Sequence, residues 1–106
     1  MLPNDVRIGA HLFAVLEKGS IGKPGESVMG LMDPSKNQIT VERDLPITRK
    51  IEVFLHECLH AMLIGHEFSD EEAMVVILGE GLTACIADNP ALFRRIVKTL
   101  SDTKKT

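Results

Sequence analysis

The stretch Ile51–Ile64, IEVFLHECLHAMLI, carries the reading of this 106-residue chain. Within it His56-Glu57-Cys58-Leu59-His60 spells H-E-x-x-H. On a helix, positions i and i+4 stand one above the other on one face, so both imidazoles reach a single metal ion. Glu57, one residue after the first histidine, is then close enough to address a water at that ion. The pattern is that of zinc-dependent hydrolysis, in which the metal polarises a carbonyl and the glutamate takes the proton of the water.

The surroundings weigh against a chance match. Val53, Phe54, Leu55, Leu59, Met62 and Ile64 enclose the motif, which predicts a helix buried over most of its circumference. Two histidines and a glutamate there carry a desolvation cost on the order of several kcal/mol unless they are paired or hold a metal. The bland alternative is a pair of satisfied structural histidines, but Leu or Ala at those positions builds a metal-free core at less cost.

Length sets one domain over residues 1–106, with a single core. A hydrophobic fraction of 44% and a charged fraction of 25% are ordinary for a globular protein. A net charge of −3 gives no electrostatic case for nucleic acid. Arg94, Arg95, Lys98, Lys104 and Lys105 gather near the C-terminus, where such a run reads as a solvated helix face and tail. With no bilayer-length apolar run and no basic-then-apolar leader, the expectation is no membrane and a cytoplasmic location. Two cysteines, Cys58 and Cys85, make no disulfide framework and read as buried thiols. Tyr and Trp are absent.

Residues 6–17 read as one strand, with Ile8, Phe13 and Val15 facing inward. Residues 18–27 hold three Gly and a Pro and read as a loop. Its Gly22-Lys23 is no phosphate loop, because Pro24 stands where Ser or Thr is required. Residues 28–32 and 38–42 read as a hairpin across Asp33-Pro34-Ser35-Lys36-Asn37, with QITVE as the edge strand. The motif helix starts near Thr48, a candidate N-cap, and runs to about Ile64 before Gly65. Ser69 with Glu72 spells a capping box for a second helix reaching about Ala87. Asp88-Asn89-Pro90 then breaks the chain, and a third helix spans about residues 91–100, with 101–106 a polar tail. The expected class is α+β: a small sheet of about three strands and about three helices.

Catalytic zinc takes three protein ligands and keeps a fourth position open. His66 has the six-residue spacing of H-E-x-x-H-x-x-G-x-x-H, but Leu63 stands where that motif needs Gly. Glu80 lies twenty residues after His60, flanked by Gly79 and Gly81, close to the thermolysin-like spacing. Glu72 opens the second helix, where a carboxylate also serves as a plain helix cap. Glu71, beside it, points about 100° away around the helix. Spacing does not separate Glu72 from Glu80.

From Gly30 to Pro90 the chain resembles small zincin-like proteins of bacteriophages and prophages, related to the ImmA/IrrE-type metallopeptidases. The matching pieces are Gly30-Leu31-Met32-Asp33-Pro34, Gln38-Ile39-Thr40-Val41 and Phe54–Ala61. They continue through Glu72, Val75, Leu78, Gly81-Leu82 and Asp88-Asn89-Pro90. The resemblance implies Zn2+ held by His56, His60 and Glu72, with Glu57 as general base. It implies a zinc metalloendopeptidase that cleaves a specific intracellular protein, encoded by a phage or mobile element. An extended substrate would pair with the edge strand at residues 38–42. One departure stands out: many zinc peptidases stabilise the oxyanion with a Tyr or His, and here only His66, His11 and Arg49 are candidates. The alternative expectation is a weak or inactive zincin scaffold, acting as a zinc-stabilised protein-binding module.

Overall fold

The computed structural model describes residues 2–104. The elements run β1 (Asp5–Ile8), β2 (His11–Lys18), β3 (Gly30–Asp33), β4 (Gln38–Glu42), α1 (Ile47–Met62), α2 (Glu71–Asp88) and α3 (Pro90–Lys104). The class is α+β as expected, but the sheet has four strands rather than about three. The expected single strand over residues 6–17 is a hairpin. Gly9 takes φ +60°, the left-handed value that a two-residue hairpin loop needs and glycine supplies without strain. Ile8 then pairs with His11, and Asp5 with Ala14.

The sheet order is β1-β2-β4-β3. β2 pairs with β4 in parallel, Val15 opposite Ile39, while β3 and β4 are antiparallel, Met32 opposite Ile39. The connection from β2 therefore passes over β4 to the far edge, and the chain returns inward. QITVE is thus an interior strand, and the edge on its side of the sheet is β3. The alternating burial of β4, with Ile39 and Val41 both 0% exposed, reflects one face packed in the core. The turn between β3 and β4 is held by Asp33, whose Oδ1 accepts from the Ser35 amide at 2.9 Å and its hydroxyl at 2.6 Å. Asn37, at φ +50°, completes it.

Helix α1 lies across one face of the sheet. Its Val53, Cys58 and Ala61 pack with Ile8, Phe13, Ile39 and Val41 to form the core. Ile8, Phe13 and Val15 face inward as expected. Phe13 and Val15 alternate along β2, and the hairpin register, Val6 opposite Phe13, puts Ile8 on the same face. Burial of α1 covers most of its circumference, as expected: no residue from Lys50 to Ala61 is exposed. One flank packs on the sheet and another meets α2, and exposure is confined to the ends, with Met62 at 56%. Lys50 Nζ donates to Glu17 Oε1 at 2.7 Å, tying α1 to β2.

Helix boundaries shift modestly from the sequence reading. Pro46, not Thr48, precedes α1, and it makes no side-chain cap; its fixed φ launches the helix instead. Gly65 takes φ +88° just past the end of α1. Asp70, not Ser69, precedes α2, and no capping box forms, because Glu72 is engaged elsewhere. α3 continues to Lys104, so residues 101–104 are helical and not a tail, while Lys105 and Thr106 lie outside the described residues. Cys58 is buried as expected, but Cys85 is exposed, since it sits on a face of α2 that packs on nothing. No single helix among the described residues is long and apolar enough to cross a membrane.

Candidate metal centre

His56 and His60 stand one turn apart on the face of α1 that looks toward α2. Their rings meet edge to face with centroids 4.9 Å apart, and their Nε2 atoms are 3.2 Å apart. The first turn of α2 brings Glu72 between them. Its Oε1 lies 3.0 Å from His56 Nε2 and its Oε2 lies 2.7 Å from His60 Nε2. Gly79, two turns further along α2, lets this helix lie against the backbone of α1: a Cβ there would sit 3.7 Å from the His56 Cα.

Among the described residues, His56, His60 and Glu72 form a group whose ligand atoms all lie within 4.8 Å of one another. A tetrahedral ion with bonds of about 2.0–2.1 Å holds its ligand atoms about 3.3 Å apart. The observed 2.7, 3.0 and 3.2 Å separations are on that scale. Two neutral imidazole nitrogens and one carboxylate are a donor set that suits zinc among the divalent metals. The residues present fit such an ion.

Glu71 is the site residue that the sequence reading passed over. Its Oε2 lies 2.7 Å from His60 Nδ1, so the two neighbouring acids grip opposite nitrogens of one ring. A carboxylate only accepts, so the Glu71 contact needs a proton on Nδ1, and the Glu72 contact needs one on Nε2 unless a metal takes that nitrogen. Burial disfavours the charged His60 ring. The Glu71 hydrogen bond and the Glu72 and Glu57 charges outweigh it and raise the ring's pKa. A metal at Nε2 therefore competes with a proton.

Glu57 is 8% exposed, with Oε2 4.0 Å from His56 Nε2. Burial raises its pKa above the ordinary carboxylate value, the nearby histidines pull it down, and Glu72 adds to the rise. On its far side is Gly30, where a Cβ would come within 3.1 Å of Glu57 Cγ and Oε2 and 2.6 Å of Val53 Cγ1. The absent side chain is what lets α1 approach the edge strand.

These groups open into a cavity of about 660 Å³. α1 forms its floor, residues 27–32 one wall, and Glu72, Val76, Gly79 and Glu80 the other. Glu80 thus lines the cavity but stands outside the ligand group, eight residues and about 12 Å along α2 from Glu72. Of the three oxyanion candidates only Arg49 lines the cavity, 3.4 Å from Glu52. His66 lies beyond the end of α1 beside Phe68. His11 opens β2, and neither histidine reaches the site.

No protein-family model, curated protein sequence or solved structure matches this chain.

Proposed function

We propose that the protein is a zinc-dependent peptidase of the H-E-x-x-H type. The observation that carries the reading is the convergence of His56, His60 and Glu72, with a buried carboxylate, Glu57, beside them. Zinc held by those three ligands supplies a Lewis acid that polarises a carbonyl and acidifies water at its open position. Glu57 accepts the proton of that water, and its raised pKa lets it hold the proton and pass it to the departing amine. Glu71 fixes the ring of His60 in the tautomer that ligation needs.

The cavity volume lies within the ordinary range for ligand sites. β3 is bonded to β4 alone, so its other edge is available to an extended peptide beside the cavity. This moves the substrate-pairing strand from residues 38–42 to Gly30–Asp33. The partner is accordingly a protein or peptide substrate. The collinear resemblance to phage zincin-like proteins supports cleavage of a specific intracellular protein.

One observation favours the second reading, a zinc-stabilised binding module with little catalysis. The chain has no Tyr, and Arg49, the one cationic Lys or Arg among the residues lining the cavity, is engaged with Glu52. Glu57→Gln separates the two. A peptidase loses cleavage of a fluorogenic peptide library by roughly 10²-fold or more while retaining one equivalent of zinc. Cleavage that survives the substitution rules out Glu57 as the base.

A further inference from the structure

Helices α2 and α3 present apolar surface that no other part of the described chain covers. α2 is apolar around most of its circumference, yet only Val75 and Gly79 are buried, and Ile77 is 70% exposed. α3 is amphipathic, with Phe93, Ile96, Val97 and Leu100 at i, i+3, i+4 and i+7. None of its residues is buried, and Val97 is 62% exposed. It turns 97° away from α2, the only element it touches. The molecule is 49 Å long against 30 and 29 Å across. Its radius of gyration of 14.8 Å exceeds the roughly 13 Å of a compact chain of this length. α3 is an arm, and a lone 15-residue helix gains too little from its own hydrogen bonds to stand without a surface to pack on.

Area and charge say what that surface is. Nine large apolar side chains between Val76 and Leu100 are each at least 36% exposed. Val76 faces the metal-centre cavity; the other eight supply apolar surface toward the order of 800 Å² that each partner contributes to a standard stable interface. α2 carries Glu71, Glu72, Glu80 and Asp88 with no basic residue, whereas α3 carries Arg94, Arg95, Lys98 and Lys104 against Asp102 alone. Packing α3 on α3 brings like charges together, while packing α3 on α2 brings opposite ones together. With Glu71 and Glu72 turned to the histidines, Glu80 and Asp88 are the acids left for the arm. The outward line of α2 through Ile77 continues over Gly81, where an added Cβ would meet nothing within 4 Å. That line has room for a helix at close range. The bend at Asn89 keeps each arm off its own α2.

We propose that the chain forms a two-fold dimer in which the α3 arm of each copy lies along α2 of the other. The exchange is reciprocal, so the interface closes on itself and leaves no arm free to recruit a third copy. It does not depend on a metal at His56 and His60, although Glu80 also lines their cavity.

Sedimentation equilibrium of the full chain across the micromolar range gives twice the 11.7 kDa protomer mass. Ile77→Asp combined with Val97→Asp raises the dissociation constant by about 100-fold or more. Both sites are exposed, so the sheet and α1 keep their fold and the circular dichroism spectrum loses at most the helicity of the freed arm. Arg94→Glu with Arg95→Glu weakens the dimer, and adding Glu80→Lys with Asp88→Lys restores it in part. A chain that stays monomeric over that range overturns the proposal, as does a dimer indifferent to both sets of changes. Assembly beyond two copies also overturns it. So does a monomer that instead cosediments with phosphatidylglycerol-containing vesicles, which would assign the apolar face to a membrane surface.

Discussion

Glu57 and Glu71 show how two acids near one candidate metal site take different roles from their surroundings. Glu57 is held between α1 and the edge strand, where Gly30 leaves room for it. Glu71 is partly exposed and hydrogen-bonded to one ring. Gly30→Ala places a methyl group against Val53 and Glu57, so α1 must move off β3. The expected loss is about 1–3 kcal/mol of stability, read by chemical denaturation, together with weaker zinc binding. Glu71→Gln leaves every ligand in place but replaces the carboxylate that holds the proton on His60 Nδ1. Zinc affinity should fall about 10- to 100-fold in competition with a chromophoric chelator, with stoichiometry unchanged. An unchanged affinity would reduce Glu71 to a surface acid.

Among the elements, α1 and β3 show the limits of reading from spacing. The two histidines and Glu57 were legible because H-E-x-x-H is a local pattern, settled by the pitch of one helix. Spacing left the third member of the group open and only the resemblance pointed to Glu72, which reaches the histidines across the turn between α1 and α2. Separation along the chain cannot say which turn of α2 faces the histidines. Glu71 was missed for a related reason. Neighbours on a helix diverge by about 100°, but here the two side chains reach the same ring from either side, one acid on each nitrogen of His60. The insertion of β4 between β2 and β3 depends on a crossover that alternation cannot reveal, so an interior strand was read as an edge. The Glu17–Lys50 pair between β2 and α1 gives this layer a pH signature. The Lys50 hydrogen bond chiefly lowers the Glu17 pKa from its ordinary 4.5. A folded-state pKa below the unfolded one contributes stability that is complete above pH 4.5 and fades as pH falls through the lower value. Glu17→Gln should therefore cost up to about 1 kcal/mol at neutral pH, since the pair is only partly shielded. The wild-type and variant denaturation curves should converge near pH 2, where the carboxyl is protonated with or without the fold.

At the scale of the whole molecule, burial is unequally divided. The sheet and α1 hold the core, whereas α2 buries only Val75 and Gly79. The contact between the two layers is completed by Glu72 reaching His56 and His60, three groups that in the absence of a cation depend on shared protons. On the proposed reading zinc would replace those protons with ligands from both α1 and α2, so its binding energy should appear mainly as docking of α2. At a free zinc concentration a hundredfold above the dissociation constant, linkage adds about 2.7 kcal/mol to the state that holds the ion. Hydrogen exchange at a fixed protein concentration resolves where that increment falls. Without zinc, amides of α2 should exchange well before those of β2, β4 and α1, because few apolar contacts hold that helix. With zinc, protection should rise most in the first half of α2 and less in β1 and β2. Glu72→Ala should abolish this increment and Glu80→Ala should keep most of it, since only Glu72 lies within ligand distance of both rings. A uniform rise across the sheet and all helices would mean that α2 already opens only with the core.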